Sequence, residues 1–315
     1  MHPAPTPMHI PDGFLSIPVA LAFWLLSAVV ITLALQKAER FGSEQQLPLM
    51  GVLAAAIFAG QMLNFTVIGG TSGHLLGAAL AVILLGPWAA VLVMTSVVGL
   101  QALVFQDGGL LALGANLFNM AVVGVFVSYA AWQGALMLFG RRSWGSPVAG
   151  FTAAWLSIFV TALAAALQLA LSGTSPANIA LPAMGGVHAL IGIGEGLITL
   201  GALTFLAAAR PDLLGRTGNG QHIDRSVWVG GMLFSIGLVL LAPLASSHPD
   251  GLEWVAQQAG FSSLARTPQL KLLPDYLLPG VENQALATIL AGLIGILIIA
   301  GSALIASRVR HRSQP

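Results

Sequence analysis

The chain has 315 residues, of which 57% are hydrophobic and only 7% charged, and its twelve basic and eleven acidic side chains leave a net charge of +1. Too little polar surface is available to cover a water-soluble globule of this size, so the composition specifies a membrane protein. With no cysteine, disulfides, thiolate nucleophiles and thiolate-rich metal centres are excluded, and any metal must be held by nitrogen, oxygen or thioether. No basic stripe interleaved with aromatic residues occurs, so nucleic acid is a poor partner.

The N-terminus lacks a Lys/Arg-rich region, and its first apolar run is long enough to span a bilayer, so that run reads as a retained helix and not a cleaved signal. Apolar stretches predict an all-α polytopic protein with about nine transmembrane helices, near 17–36, 48–65, 74–85, 88–105, 116–139, 148–171, 187–209, 227–246 and 283–307. Gly86-Pro87 divides a run too long for one ordinary span, which predicts two short helices meeting at a turn. With the N-terminus outside, Lys37, Arg40, Arg141, Arg142, Arg210, Arg216, Arg225, Arg308, Arg310 and Arg312 fall inside. Arg266 and Lys271 fall outside, on a long loop where the charge rule is weak. This bias predicts a multi-pass inner-membrane protein with its C-terminus in the cytoplasm.

The outer side then carries the N-terminal segment, the loops "VIGGTSGH" and "QDGGLLALGAN", the loop 172–186, and the segment 247–282. Five of seven histidines, His2, His9, His74, His188 and His248, lie there or at its edge. The polar, Gly-rich stretch 211–225 reads as a cytoplasmic linker between a seven-helix body and a two-helix appendage.

The opening "MHPAPTPMHIPDGFLS" contains a Met-His pair twice, at Met1-His2 and Met8-His9. A histidine in second position offers a free amine, its own amide nitrogen and its imidazole as fused chelate rings around a metal. A further imidazole completes a square that suits Ni(II) or Cu(II) and accepts Co(II). His74, in "GGTSGHLLG", is the natural fourth ligand on the same face, and Gly69, Gly70 and Gly73 would let the backbone approach closely. Taken alone, a histidine at a membrane edge is more often a helix cap or interface residue.

Together "MHIPDGFLSIP", "GGTSGHLLGAALAVILLGPWA" and "GGLLALGANLFNMAVVG" resemble the CbiM/NikM family, the substrate-binding components of energy-coupling-factor transporters for cobalt or nickel. The resemblance runs from Met8 to about Arg210. It implies a metal held by the N-terminal amine, the second-position histidine through amide and ring, and a histidine before the third helix; carried over, these are Met8, His9 and His74. Asn64, Thr71 and Ser72 are expected behind them. The chain departs from the pattern in that "MHPAPTP" precedes the matching Met8, whose nitrogen is then an amide. Met8 is favoured as the functional terminus, with residues 1–7 as a leader or misassigned start; Met1 and His2 could instead form the chelate. The resemblance also implies a coupling transmembrane subunit and cytoplasmic ATPase subunits as partners, with the bilayer around them.

Glu195, in "GIGEGL", is the acidic residue placed within a span, where it could be a proton site; the resemblance implies that an acidic residue in this helix belongs to the scaffold. Gln61, Asn64, Asn116 and Asn119 suit interhelical hydrogen bonding as well as lining a site. "HPDGLEWVAQQAGF" and "LLPDYLLPG" resemble the PDGLE domain of the accessory CbiN/NikN subunit, fused here over 226–315, with Leu252, Val255 and Ala256 on the apolar face of a surface segment. No G-x-x-x-x-G-K-[ST] occurs, so ATP must be hydrolysed by partners. Hydrolase motifs are likewise missing, which argues against an enzyme. The expected function is capture of Ni(II) or Co(II) from outside and ATP-driven uptake through partners, with an ion-coupled secondary transporter of divalent metal as the alternative.

Overall fold

The computed structural model describes residues 8–41, 46–140, 142, 144–214, 225–267 and 271–312. Met1 and His2, the alternative chelate, lie outside the described residues. Among those described, apolar helices occupy each of the nine stretches expected to span, though not all at spanning length. They are α1 (Ile17–Phe41), α2 (Gln46–Gln61), α3 (Ala78–Leu85), α4 (Pro87–Leu100), a rod made of α5 (Leu113–Leu117) and α6 (Gly124–Phe139), α7 (Gly145–Leu171), α8 (Ala177–Ala209) and, after the short α9 (Pro211–Leu214), α10 (Arg225–Leu241) and α12 (Gln284–Arg312). Between the last two lies the amphipathic α11 (Gly251–Gln258). A two-stranded antiparallel hairpin, β1 (Phe65–Val67) and β2 (Thr71–Gly73), follows α2, with Thr66 opposite Ser72. Seven of the nine helices are long and apolar enough to cross a membrane; α2 and α3 are shorter.

The shortness of α3 has a physical cause. Residues 74–77, expected to be its first turn, are not helical, and Gly77 adopts a left-handed φ of 80° with the Ile57 side chain where a Cβ would stand. Eight helical residues rise about 12 Å, well short of a hydrocarbon core of about 30 Å. Unwound backbone among apolar helices survives only if the protein itself satisfies its polar groups. Here Glu195 on α8 accepts the amides of Leu76 (2.7 Å) and Gly77 (2.9 Å). Gln61 Nε2 donates to the Leu76 carbonyl (2.9 Å), and Gln61 Oε1 accepts from Gln101 Nε2 (2.8 Å). The buried acid is therefore the partner of an unwound segment.

A second difference concerns α8, which begins at Ala177 and so absorbs much of the outer loop expected over 172–186. The "LPAMGG" stretch looks like a breaker, and Pro182 does lie inside the helix. Close packing compensates: Gly185 lies against Leu163 and Phe159, and Gly192 and Gly196 receive Trp155 and Phe151 of α7.

Two helical rods widen into π-turns, Gln101–Phe105 after α4 and Phe118–Val123 between α5 and α6. Each places a buried amide in the interior; Asn119 forms a reciprocal pair with Gln168 of α7, at 2.8 and 2.7 Å. Helices α10 and α12 pack along α2, where Gly231 meets Val52 and Gly295 meets Phe58. The apolar face of α11, with Leu252, Val255 and Ala256 buried, rests on the body beside Ile10, Phe14, Leu169 and Met184. The segment 225–312 thus packs on the rest of the chain through both its long helices and α11.

Candidate metal centre

The site begins with the segment after Met8, which is fastened to the loop between α4 and α5. Asp12 accepts the amides of Leu110 (3.1 Å) and Ala112 (3.0 Å), and Gly109 donates to the Ile10 carbonyl (3.0 Å). A Cβ on Gly109 would stand 2.0 Å from Asp12, so only glycine fits. Buried Asn116 clamps Ile10, accepting its N–H (3.0 Å) and donating to its carbonyl (3.1 Å). The motifs "IPDG" and "QDGGLLALGAN" are two halves of one hydrogen-bonded contact. Replacing Asn116 by Ala leaves the Ile10 N–H unpaired and its carbonyl with the Gly109 amide alone, and is expected to cost about 1–3 kcal/mol. Hydrogen exchange at the Ile10 amide should accelerate accordingly; unchanged protection would show that the clamp is dispensable.

This contact delivers Met8 and His9 to Asp107. The Met8 amide donates to Asp107 Oδ1 at 2.7 Å, the His9 amide reaches the same oxygen at 3.2 Å, and His9 Nδ1 lies 3.2 Å from it. Three nitrogens capable of chelation therefore converge on one carboxylate oxygen. The His9 Nε2 atom is buried with no hydrogen-bond partner among the described residues. Gln106 (φ 57°) and Gly108 (φ 98°) bend the loop so that Asp107 points back at the N-terminal segment.

His74 arrives from the other side, just beyond the hairpin. Gly69 (φ 95°) and Gly70 (φ 80°) make its left-handed turn with open space around them, whereas Gly73 is needed for close approach, since a Cβ there would meet Ile191 at 2.3 Å. The segment before α11 adds to this hairpin: Ser72 N–H donates to the Pro249 carbonyl (2.8 Å), Ser72 Oγ to the His248 carbonyl (2.8 Å) and Thr71 Oγ1 to the Pro249 carbonyl (3.1 Å). This places Asp250 Oδ1 3.2 Å from His74 Nδ1. An Nδ1–H donated to that carboxylate leaves Nε2 as a free acceptor.

The His9 and His74 rings stand edge to face with centroids 5.7 Å apart. Both line a cavity of about 70 Å³ with Met8, Asn116, Asn119, His188 and Asp250. His188 Nδ1 donates to the Met184 carbonyl at 2.8 Å, which fixes the ring to its own helix and leaves Nε2 as its acceptor nitrogen. No group of three His, Cys, Asp or Glu side chains among the described residues has the arrangement of a metal site. A cation here needs backbone nitrogen as well as the two imidazoles, a donor set that suits Ni(II), Cu(II) or Co(II).

Of the residues expected behind the ligands, Thr71 and Ser72 instead hold the 248–249 backbone, and Asn64 accepts the Ser246 amide through its carbonyl (2.8 Å), its side-chain oxygen being buried without a partner among the described residues. The groups that contact the histidines are Asp107 and Asp250, and Tyr276 donates to Asp107 Oδ2 at 2.6 Å. Asp-Gly pairs in the loops of a chain so poor in acids were a usable signal for the first two. Nothing local marks Tyr276.

Burial opposes ionisation of Asp107. The charge of His9, hydrogen bonds from His9 and Tyr276 and the charge of His74 outweigh it and hold the carboxyl down from 3.8 to about 2. Burial likewise opposes ionisation of Asp250, but the charge and hydrogen bond of His74 and the charge of His188 keep its carboxyl below its ordinary value. A depressed carboxylate contributes stability that is complete above its unfolded pKa and is lost as pH falls through its folded pKa. Metal-free protein should therefore lose nothing from Asp107 down to about 3.8, then weaken as pH falls toward about 2. Thermal unfolding against pH checks this: Asp107→Asn should flatten the acid limb, and a limb of unchanged steepness would contradict it.

Residues 9–213 match the CbiM model, described as the cobalt uptake substrate-specific transmembrane region, and residues 225–312 match the PDGLE domain. A putative fused nickel transport protein NikMN of Archaeoglobus fulgidus is 40% identical over 93% of this chain and 95% of its own length. The fused nickel transport protein NikMN of Rhodobacter capsulatus is 32% identical over 93% of this chain and 96% of its own. A crystal structure of a truncated transition metal transporter superposes with a TM-score of 0.57 at 34% identity, over 64% of this chain and 99% of that one. These relatives are named as transport proteins and not as enzymes. With the polytopic helical fold and a family match over most of its length, the chain belongs to the CbiM family and carries a PDGLE domain at its C-terminal end.

Proposed function

We propose that this chain captures Ni(II) or Co(II) at the extracytoplasmic face and serves as the substrate-specific component of an ATP-driven energy-coupling-factor transporter. The observation that carries the reading is the convergence of the Met8 nitrogen, the His9 amide and His9 Nδ1 on one oxygen of Asp107, with His74 across a small cavity. The ligands are Met8 through an N-terminal amine, His9 through amide and ring, and His74; the nickel and cobalt transport names of the relatives support the choice of metal. The bias of Lys and Arg toward the opposite ends of the helices supports an N-terminus outside and a C-terminus inside. On this reading residues 8–210 form the metal-binding body, 211–225 a cytoplasmic linker and 226–315 the fused module.

Energy comes from cytoplasmic ATPase subunits through a coupling transmembrane subunit, since the chain has no phosphate-binding loop. The secondary-transporter alternative loses its main support because Glu195 is already committed to the Leu76 and Gly77 amides. Two measurements test the proposal. Calorimetric titration of purified protein should show tight Ni(II) or Co(II) binding that falls steeply in acid, because amine, amide and imidazole must all lose protons. In proteoliposomes, uptake should require the partner subunits and ATP; uptake by this chain alone on an ion gradient would establish the alternative instead.

A further inference from the structure

Resting on that reading of the site, we propose that Tyr276 and Asp250, both in the PDGLE segment, are positioning residues for the captured metal: Tyr276 acts through Asp107 on the Met8 and His9 nitrogens, and Asp250 acts on His74. Neither binds the cation. Each fixes one half of the ligand set, so the fused module sets how the two halves face each other.

Three observations support the Tyr276 arm. Its hydroxyl donates to Asp107 Oδ2 at 2.6 Å, while the other oxygen of that carboxylate receives all three candidate chelating nitrogens. Without the tyrosine, one oxygen of a buried carboxylate loses its donor, and the group that gathers the nitrogens is free to turn. The ring is buried and locked, stacked on Phe105 at 4.8 Å and 17°, with Phe58 at 6.2 Å. The backbone is bent to achieve this, since Asp275 (φ 54°) and Tyr276 (φ 57°) are consecutive left-handed residues. A bulky aromatic residue rarely adopts that conformation, and such strain persists where the surroundings impose it. Leu273 N–H donating to the Val104 carbonyl at 3.0 Å ties the strained turn to the π-turn that precedes Asp107.

The Asp250 arm is independent. Asp250 follows directly on the residues that pair with Ser72, and its carbonyl accepts the Trp254 amide at 2.7 Å, opening α11. Its carboxylate lies 3.2 Å from His74 Nδ1, the arrangement by which an outer carboxylate fixes the tautomer and orientation of a ligating histidine. The two arms come from opposite ends of the segment 247–282: Asp250 itself lines the cavity, whereas Tyr276 acts on it through Asp107 and the Met8 and His9 nitrogens.

The test uses the full chain in the form, starting at Met1 or at Met8, that binds metal, with Ni(II) and Co(II) alone as probes. Tyr276→Phe and Asp250→Ala are each expected to weaken binding about 10- to 100-fold. The double variant should lose the product of the two factors, because the arms act on separate ligands. Asp250→Asn, which retains an acceptor for Nδ1–H, should recover part of the loss, and the Ni(II) absorption spectrum at saturating metal should shift in Tyr276→Phe. A merely structural role would not move that spectrum. Wild-type affinity and spectrum in Tyr276→Phe and Asp250→Ala overturn the positioning roles alone. Failure of the wild-type chain itself to bind either metal overturns the capture reading, and this proposal with it.

Discussion

A chain whose first residue is Met8 is expected to bind Ni(II) more than about 100-fold more tightly than the same chain with its terminal nitrogen acetylated, a larger loss than outer contacts cause. The reason lies in the donor set. An amine offers a lone pair, whereas the nitrogen of an acylated Met8 is an amide whose lone pair is delocalised into its carbonyl. Such a nitrogen can still donate to Asp107, as it does here at 2.7 Å, but it is a poor ligand unless deprotonated. His9→Ala removes the imidazole that closes the second chelate ring, and His74→Ala removes the fourth nitrogen; each should cause a loss of similar size. Calorimetric titration of the Met8-start, Met1-start and acetylated forms decides the matter. Equal affinity in the acetylated form would remove the Met8 amine from the ligand set, and a Met1-start chain indifferent to His9→Ala would remove His9 and leave Met1 and His2 to serve.

Replacing Glu195 by Leu is expected to destabilise the protein by about 2–6 kcal/mol, because two buried amides, those of Leu76 and Gly77, lose their acceptor at about 1–3 kcal/mol each. That is a large share of the 5–15 kcal/mol by which folded domains are typically stable. Glu195→Gln keeps one oxygen and should lose less. The damage should extend to the metal, since Leu76 lies two residues beyond His74 on the same unwound segment. Thermal unfolding in detergent, paired with Ni(II) titration, reads both effects. Normal stability and binding with uptake abolished would restore Glu195 as a proton site and with it the secondary-transporter alternative.

Much of the architecture was legible before the fold. Nine apolar helices, the break at Gly86-Pro87 and the fused module follow from runs of hydrophobic residues and from what backbone in lipid tolerates. The shape of the segment 74–77 was not, because its helical hydrogen bonds are replaced by Glu195 and Gln61, whose partnership needs α8 and α2 already in place. The early start of α8 was hidden for a related reason: a Pro and two Gly disfavour helix locally, and only packing against α7 overrides them.

The sequence by itself determined the membrane class, the helical fold, the absence of thiolate chemistry and the chemical identity of the candidate ligands, because composition and local motifs carry that information without reference to distant residues. Tertiary structure alone decided what surrounds those ligands. Asp107, Asp250 and Tyr276 stand 99, 176 and 169 positions in sequence from the groups they hold, and no local pattern encodes a hydrogen bond across such a separation. Their association is a product of packing: α10 and α12 against α2, the 248–250 segment against the hairpin, and α11 against α8 bring the segment 247–282 over the site, where its polar groups find buried partners.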